Sequence, residues 1–303
     1  GGYTTTSFKY ENRMTNPFIN VESGSASGNQ LKAGVSYNLS NDLTVFANGG
    51  LQVLTPAFDK LIDDYVGEMT EDYQNEKATI ADFGSRFNLL GGSLRGSVNY
   101  YYTVWQDRQI RVGVDNIVSG GDGYANITGL SQTHSGLEYS FAYKPMTFLR
   151  LDLVGHFSNW EYIENVSATY IADAANPDNP TDYNLYIAGL KVGGAPQTQL
   201  NLITTFNQGP LVLSAEIETS DNYYGTFDPT SRTSPGDENT QAYKAPSRMV
   251  VNVHAAYTMA LSGYNVGLNL SVINVLNEKY LGLVQDRDGT IADARVHMGL
   301  PMT

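Results

Sequence analysis

The sequence has no cysteine and no long apolar run. With no cysteine among 303 residues, neither a disulfide framework nor a thiolate metal site can form within it. No stretch approaches the ~20 consecutive apolar residues that a membrane-spanning helix needs. A transmembrane β-barrel also has low mean hydropathy, because only alternate residues of each strand face lipid. Two interpretations therefore stay open, a soluble protein and a barrel.

Positive charge is scarce as well. Lys and Arg together number 18 against 31 Asp and Glu, which gives a formal net charge of -13. This charge argues against a nucleic-acid partner, since the phosphates would be repelled. The N-terminal residues Gly1 to Thr4 show neither the basic region nor the apolar region of a signal peptide. We therefore expect the chain to be a fragment whose start lies upstream.

What the sequence does contain is alternation. About eleven segments alternate apolar with small or polar residues, the period of two that is typical of a strand with one apolar face. They cover residues 30–39, 43–52, 79–90, 93–111, 124–143, 147–160, 197–206, 211–219, 248–259, 264–274 and 291–300. The 21 tyrosines suit a membrane–water interface, although a tyrosine-rich soluble β protein would look the same by composition.

The connections between these segments alternate strictly between short and long. Within each pair of strands the turn has a few residues, whereas long connections follow at residues 54–78, 112–123, 161–196, 220–246 and 275–290. A soluble sandwich has no reason to keep this order, because its loops are generally short. Short periplasmic turns and long extracellular loops are typical of an outer-membrane barrel. The long loops are polar and acidic, so we expect them to build no core of their own.

Several motifs resemble one known family. Residues 274–280, with the sequence NVLNEKY, follow the last full strand and resemble the signature near the C-terminus of TonB-dependent receptors. Four further segments, in the order seen in that family, resemble its other motifs, although Asn75 stands where Pro is usual and Met302 where Arg is usual. The residues that carry the resemblance are Glu76, Asn126, Gly136, Glu138, Pro196, Asn274, Asn277, Tyr280, Gly299 and Pro301.

The resemblance implies a 22-stranded outer-membrane barrel that encloses an N-terminal plug carrying a TonB box. Neither the plug nor the box is found in residues 1–303, and the final strand with its terminal aromatic residue is also missing. We therefore expect one partial all-β domain over 1–303, an antiparallel up-and-down meander cut at both ends. Alone, it would form an open curved sheet with two unpaired edges.

The sequence gives no sign of an enzyme or of a cofactor. The four histidines (His134, His156, His254 and His297) are scattered, and none pairs with another at metal-ligand spacing. No nucleophile elbow, phosphate-binding loop or paired-carboxylate motif is present. The family resemblance implies that the ligand contacts the extracellular loops and the upper wall of the barrel, where Tyr223, Tyr224 and Phe227 are candidates. The alternative is an aromatic girdle at the membrane interface.

The function that the resemblance implies is TonB-dependent uptake of a scarce nutrient such as a ferric siderophore, haem, cobalamin or glycan. Its partners would be outer-membrane lipid and lipopolysaccharide, the TonB complex through the missing plug, and the nutrient itself. One alternative is a passive, porin-like channel without a plug. A second is a soluble or adhesive β protein, which the repeated apolar stripes argue against.

Overall fold

The structure is a computed structural model that describes residues 1–14, 19–55, 57–63, 67–69, 73–115, 122–171, 180–238, 240–285 and 294–303. Within these ranges, one short α-helix, α1 (Phe58–Leu61), occurs among twenty strands. The strands are β1 (Gly2–Thr6), β2 (Lys9–Asn12), β3 (Ile19–Glu22), β4 (Ala26–Asn38), β5 (Leu43–Val53), β6 (Ile62–Asp63), β7 (Glu68–Met69), β8 (Lys77–Leu89), β9 (Leu94–Asp115), β10 (Asp122–Met146), β11 (Leu149–Tyr162), β12 (Val166–Ile171), β13 (Thr181–Leu185), β14 (Pro196–Gln208), β15 (Leu211–Tyr224), β16 (Lys244–Ala245), β17 (Arg248–Leu261), β18 (Tyr264–Val272), β19 (Leu281–Gln285) and β20 (Arg295–Met298).

Most of these strands form one antiparallel sheet. Its main path runs β1-β4-β5-β8-β9-β10-β11-β14-β15-β17-β18, with β12, β13 and β16 attached at its sides. Every pair along the path is antiparallel. The predicted all-β antiparallel meander is therefore confirmed, and ten predicted segments correspond to the ten strands from β4 to β18 along this path.

The eleventh predicted strand, residues 291–300, is not part of the main sheet. Within it, β20 pairs only with β19, in a separate two-stranded sheet, and residues 291–293 lie outside the described part. The physical reason is local, because Asn274 and Asn277 take positive φ of 53° and 51° and turn the chain off the edge of β18. The eleventh strand of the main path is instead β1, which alternation did not reveal.

Short and long connections separate to opposite ends of the sheet. The short turns follow β4, β8, β10, β14 and β17, and the long connections carry the small strands and α1. The predicted loop at 112–123 is partly strand, because β9 extends to Asp115 and β10 begins at Asp122. Residues 116–121 lie outside the described part. No helix within the described ranges is long and apolar enough to cross a bilayer.

The two faces of the sheet differ in chemistry. Residues that are opposite each other in the register share a face, and one face carries exposed Leu, Val, Phe and Tyr side chains; Tyr264 is 76% exposed and Leu270 65% exposed. We call this the apolar face. The other, polar face carries hydrogen-bonded side chains such as Asn48 with Asp82 and Asn201 with Glu216. Lipid on one side and water or protein on the other would satisfy this division.

The expectation that the long loops build no core is wrong. Most buried apolar side chains lie near the long-loop end, in three clusters. The largest, which we call the large loop cluster, consists of Ile127, Leu130, Tyr162, Val166, Ala168, Leu185, Ile187, Leu190 and Ala242. Six of its nine residues belong to the single connection 161–196, which folds into β12 and β13, and they also pack against Ile127 and Leu130 of β10 and Ala242 of another loop.

Candidate functional site on the polar face

A recess of about 440 Å³ lies on the polar face, over five adjacent strands from β9 to β15. The register explains its lining, because Glu138 stands opposite both Asn99 and His156, and His156 stands opposite Gln199. Its lining residues are Ser97, Asn99, Glu138, Tyr139, Ser140, Val154, Gly155, His156, Gln199, Leu200, Asn201 and Glu218. Five strands that are distant in sequence thus contribute one polar surface.

Hydrogen-bond acceptors dominate this recess. The Asn201 amide nitrogen donates to Glu216 Oε1 at 2.5 Å, and the Asn99 amide nitrogen lies 3.5 Å from Glu138 Oε2. Both amide donors therefore point at carboxylates. The Oδ1 atoms of Asn99 and Asn201 are buried and have no partner among the described residues. Buried acceptors of this kind favour a bound donor such as water, a hydroxyl or a cationic group.

Three rings stack beside the recess. Trp160 lies between His134 and His156, with ring centroids 5.4 and 6.0 Å away. Its Nε1 donates to the Tyr101 hydroxyl at 2.7 Å, and that hydroxyl donates to Ser158 Oγ at 3.0 Å. The stack gives the polar face a flat aromatic surface in contact with a hydrogen-bond chain.

Gln197 fixes the backbone of Trp160. Its side chain accepts from the Trp160 N–H at 3.0 Å and donates to the Trp160 carbonyl at 2.9 Å. The paired register of β11 and β14 ends at Phe157 and Thr198, so this side chain replaces the ladder hydrogen bonds at Trp160. Gln197 is 2% exposed. Alternation alone places His156 and Trp160 on one face of β11, but only the register brings His134 of β10 opposite Trp160.

Metal binding finds no support in the arrangement of acidic and histidine side chains. In the ranges that the structure describes, no three His, Cys, Asp or Glu side chains are placed to hold a metal ion. His156 Nδ1 instead contacts Ser158 Oγ at 2.9 Å, and His134 Nε2 contacts Gln132 Oε1 at 3.0 Å. Both imidazoles therefore take part in side-chain hydrogen bonds.

Above the recess, an ion pair joins a strand end to a long loop. A strand crosses the bilayer in about 9–11 residues, and Glu161 and Tyr162 lie beyond that distance from the short turn before β11. Lys191 Nζ lies 2.8 Å from Glu161 Oε2, and this hydrogen bond lowers the pKa of the Glu161 carboxyl. Burial in the large loop cluster raises the pKa of the Tyr162 hydroxyl.

The three aromatic residues predicted to contact substrate do not form one surface. Tyr223 is 8% exposed and packs with Ala245 and Val284, while its hydroxyl donates to the Gly282 carbonyl at 3.3 Å. Phe227 lies edge-on to Tyr162, with centroids 5.4 Å apart, against the large loop cluster. Tyr224 is half-buried at the end of β15. Their role in substrate contact stays a prediction.

The motif residues at the C-terminus pack against each other. The Asn274 amide nitrogen donates to the carbonyls of Glu278 and Leu300, both at 2.9 Å, and Asn274 Oδ1 accepts from the Glu278 N–H. A Cβ at Gly299 would lie 2.0 Å from the ring of Tyr280. Asn277 Oδ1 accepts from the Met302 N–H at 3.3 Å, and Pro301 between these contacts is exposed.

The other motif residues are structural contacts along the sheet. Glu76 pairs with Arg108, whose Nε lies 2.9 Å from Glu76 Oε1, and Asn126 Oδ1 accepts from Arg111 Nε at 3.0 Å. Gly136 leaves room for its neighbours, since a Cβ there would lie 2.6 Å from Ser158 Oγ. Pro196 begins β14, and Glu138 lines the recess.

Comparison with known proteins now identifies the family. The family model described as TonB dependent receptor-like, beta-barrel, matches residues 1–275. This chain belongs to the TonB-dependent receptor family. Members of the family are transporters rather than enzymes. The C-terminal motif residues from Asn277 onward lie beyond the matched range. A comparison with curated protein sequences finds no match.

Several solved structures share the fold of this chain. The ferric citrate transporter FecA, in its unliganded form, is 15% identical with a TM-score of 0.65; the match covers all of this chain and 42% of FecA. The copper transporter OprC is 14% identical with a TM-score of 0.64, over 99% and 43% of the two chains. The outer-membrane ferripyoverdine receptor of Pseudomonas aeruginosa, bound to ferripyoverdine, is 13% identical with a TM-score of 0.58, over 99% and 37%. This chain thus spans about two-fifths of the length of each.

Proposed function

We propose that this chain is part of the barrel wall of an outer-membrane transporter that takes up a scarce nutrient by TonB-dependent coupling. The match to the TonB-dependent receptor barrel over residues 1–275 carries this proposal. The nutrient class proposed is a ferric siderophore, haem, cobalamin or glycan. The meander with all short turns at one end supports it, because this arrangement suits a barrel in the outer membrane.

The two faces have different roles under this proposal. The apolar face contacts lipid and, in the outer leaflet, lipopolysaccharide. The polar face lines the lumen, where a plug and water occupy the interior and the TonB complex acts on the plug. The recess around Glu138 then offers its acceptor oxygens to donor groups inside the lumen. No bond is made or broken on the nutrient, so the protein works by binding and conformational change.

An uptake assay with and without energy coupling tests the proposal. The complete gene would be expressed in a strain from which the chromosomal copy of that gene has been deleted. One version of the strain would have functional TonB, and the other would lack TonB. Labelled ferric siderophores, haem, cobalamin and oligosaccharides would be supplied at concentrations too low for diffusion through porins to support growth. We expect saturable uptake of one class, and its loss in the TonB-deficient strain.

The same assay separates the passive channel from the transporter. A porin-like channel would give uptake that rises linearly with concentration and is equal in both strains. Ion conductance of the purified protein in planar bilayers would accompany that result. Uptake independent of TonB would therefore overturn the proposal, whichever nutrient is used.

A further inference from the structure

Basic side chains gather at one place on the polar face. The chain has only 18 Lys and Arg among 303 residues, yet Arg95, Lys144 and Arg150 together line one recess of about 210 Å³. Gly92, Ser93 and Ala142 complete its lining. This basic recess lies beside the short turns after β8 and β10, at the opposite end of the sheet from the loop clusters.

The register places the three cations within two residues of one another along adjacent strands. Arg95 in β9 stands directly opposite Ala142 in β10, and the Lys144 N–H donates to the Ser93 carbonyl at 2.8 Å. Tyr143 stands opposite Leu151, so Lys144 and Arg150 are neighbours across the β10–β11 pair. Three adjacent strands thus contribute one cation each to the same face, and their mutual repulsion is relieved where an anion binds between them.

The donors in this basic recess are only partly used. Arg95 Nε donates to Asn88 Oδ1 at 3.2 Å, and its Nη2 folds back to within 3.6 Å of where a Cβ on Gly92 would lie. Lys144 Nζ has no partner in the described part of the chain. Arg150 makes two hydrogen bonds of 2.6 Å to Asp152. Asp152 offsets one of three positive charges, and no acidic residue is among those that line the recess.

We propose that this basic recess binds a single oxyanion of the phosphate type. Arginine presents a planar fork of N–H donors that suits two oxygens of such an anion, and a lysine adds a point charge. The donors lie on the polar side of the sheet, because the neighbouring residues Leu94, Tyr143 and Leu149 lie on the opposite, apolar face. The site is distinct from the acceptor-rich recess around Glu138, which favours ligands of the opposite charge.

Titration calorimetry with inorganic phosphate tests this site. The protein encoded by the complete gene would be purified in a detergent with an uncharged headgroup and titrated at constant ionic strength. We expect saturable binding of one phosphate, weakened about tenfold by Arg95→Gln and by Lys144→Gln, since each removes a charge-assisted hydrogen bond. Arg95→Lys should retain part of the affinity. Lys32→Gln is the matched control, because Lys32 lies on the same polar face in β4, several strands away.

One further variant is expected to strengthen phosphate binding instead of weakening it. Asp152→Asn removes the carboxylate that occupies Arg150, so phosphate should bind severalfold more tightly. A gain of affinity cannot come from misfolding. Affinities of Arg95→Gln and Lys144→Gln within twofold of the wild type, or a loss in Asp152→Asn, would overturn the proposal.

Nanodiscs distinguish the two sources of the anion. If phosphate binds equally in discs of phosphatidylglycerol and of phosphatidylcholine, the ligand is a free oxyanion. If phosphatidylglycerol weakens phosphate binding in the wild type but not in Arg95→Gln, a lipid headgroup phosphate occupies the same site. If phosphate binds in neither disc, there is no oxyanion site.

Discussion

The side-chain amide of Asn274 donates to the carbonyl of Leu300 at 2.9 Å. This one contact joins two segments that the sequence presents as separate motifs. Next to it, the Ile273 N–H donates to the Thr303 carbonyl at 2.7 Å and the Thr303 N–H donates back at 3.1 Å. The end of the described chain is thereby held against the edge that follows β18.

Replacing Asn274 should release this C-terminal segment. Asn274→Ala removes three side-chain hydrogen bonds and leaves alanine at φ 53°. Since each bond contributes about 1 kcal/mol and the left-handed conformation costs alanine about 1 kcal/mol more, we expect a local loss of about 2–4 kcal/mol. Hydrogen exchange of the Glu278 amide measures it. Asn269→Ala, on the exposed polar face of β18, is the control, and equal protection in both variants would contradict the prediction.

Gly299 should not tolerate a methyl group. In Gly299→Ala the new Cβ meets the ring of Tyr280, so the ring must shift and its contact with Arg248, at 4.4 Å from the ring centroid, is disturbed. Overpacking of this kind costs about 1–3 kcal/mol. A denaturant series would measure the loss, with Gly267→Ala as control because a Cβ there meets nothing within 4 Å. In a Tyr280→Ala background the cost of Gly299→Ala should vanish, and a cost that persists would place its cause elsewhere.

Tyr101→Phe should loosen the stack around Trp160. The change leaves Trp160 Nε1 without its acceptor and should cost about 1 kcal/mol. In a Trp105→Phe background Trp160 is the only tryptophan, so its emission reports the site alone. We expect stronger acrylamide quenching of this emission in Tyr101→Phe. Tyr102→Phe, on the opposite face, should leave the quenching unchanged.

The Glu161–Lys191 pair should make one loop sensitive to acid. The pKa of the Glu161 carboxyl is lower in the folded protein than in the unfolded chain, because Lys191 donates a hydrogen bond to it. The stabilisation by this pair is therefore complete above the pKa of glutamate in the unfolded chain, about 4.3, and is lost as the pH falls through the lower pKa of the folded protein. Because the pair is partly exposed, the effect should stay below about 1 kcal/mol.

Hydrogen exchange of the Val192 amide, which donates to the Trp160 carbonyl, measures how stably this loop is held against β11. After correction for intrinsic rates, protection should fall at low pH in the wild type and in the control Glu164→Gln. It should be lower and independent of pH in Glu161→Gln. A wild type with constant protection down to pH 2 would show that the ion pair does not hold the loop.

Alternation predicted the strands because each one faces two different surroundings along its length. That pattern fixes the face of a residue such as Leu270 or Asn201 without knowledge of its neighbours. It fails where burial comes from contacts between distant segments. Leu61 and Ile62 are fully buried against Ala26 and Phe8, a contact that neither loop reveals alone.

The candidate site was less predictable than the fold. Glu138 was identified through its motif and does line the polar recess. Trp160 and Gln197 were not, since their contacts depend on the pairing of β11 with β14 and on where that pairing ends. The family resemblance suggested a contact surface at Tyr223, Tyr224 and Phe227, but packing against Ala245 and Val284 explains an aromatic residue at Tyr223 equally well.

The β9–β10 hairpin is longer than a membrane requires. Its strands have 22 and 25 residues, and at ~3.3 Å per residue the longer one spans about 80 Å, against an apolar band of about 25 Å. Under the proposed placement in an outer membrane, even a tilted hairpin of this length extends well beyond the apolar band. The far ends of β9 and β10 would then be surrounded by water rather than by lipid.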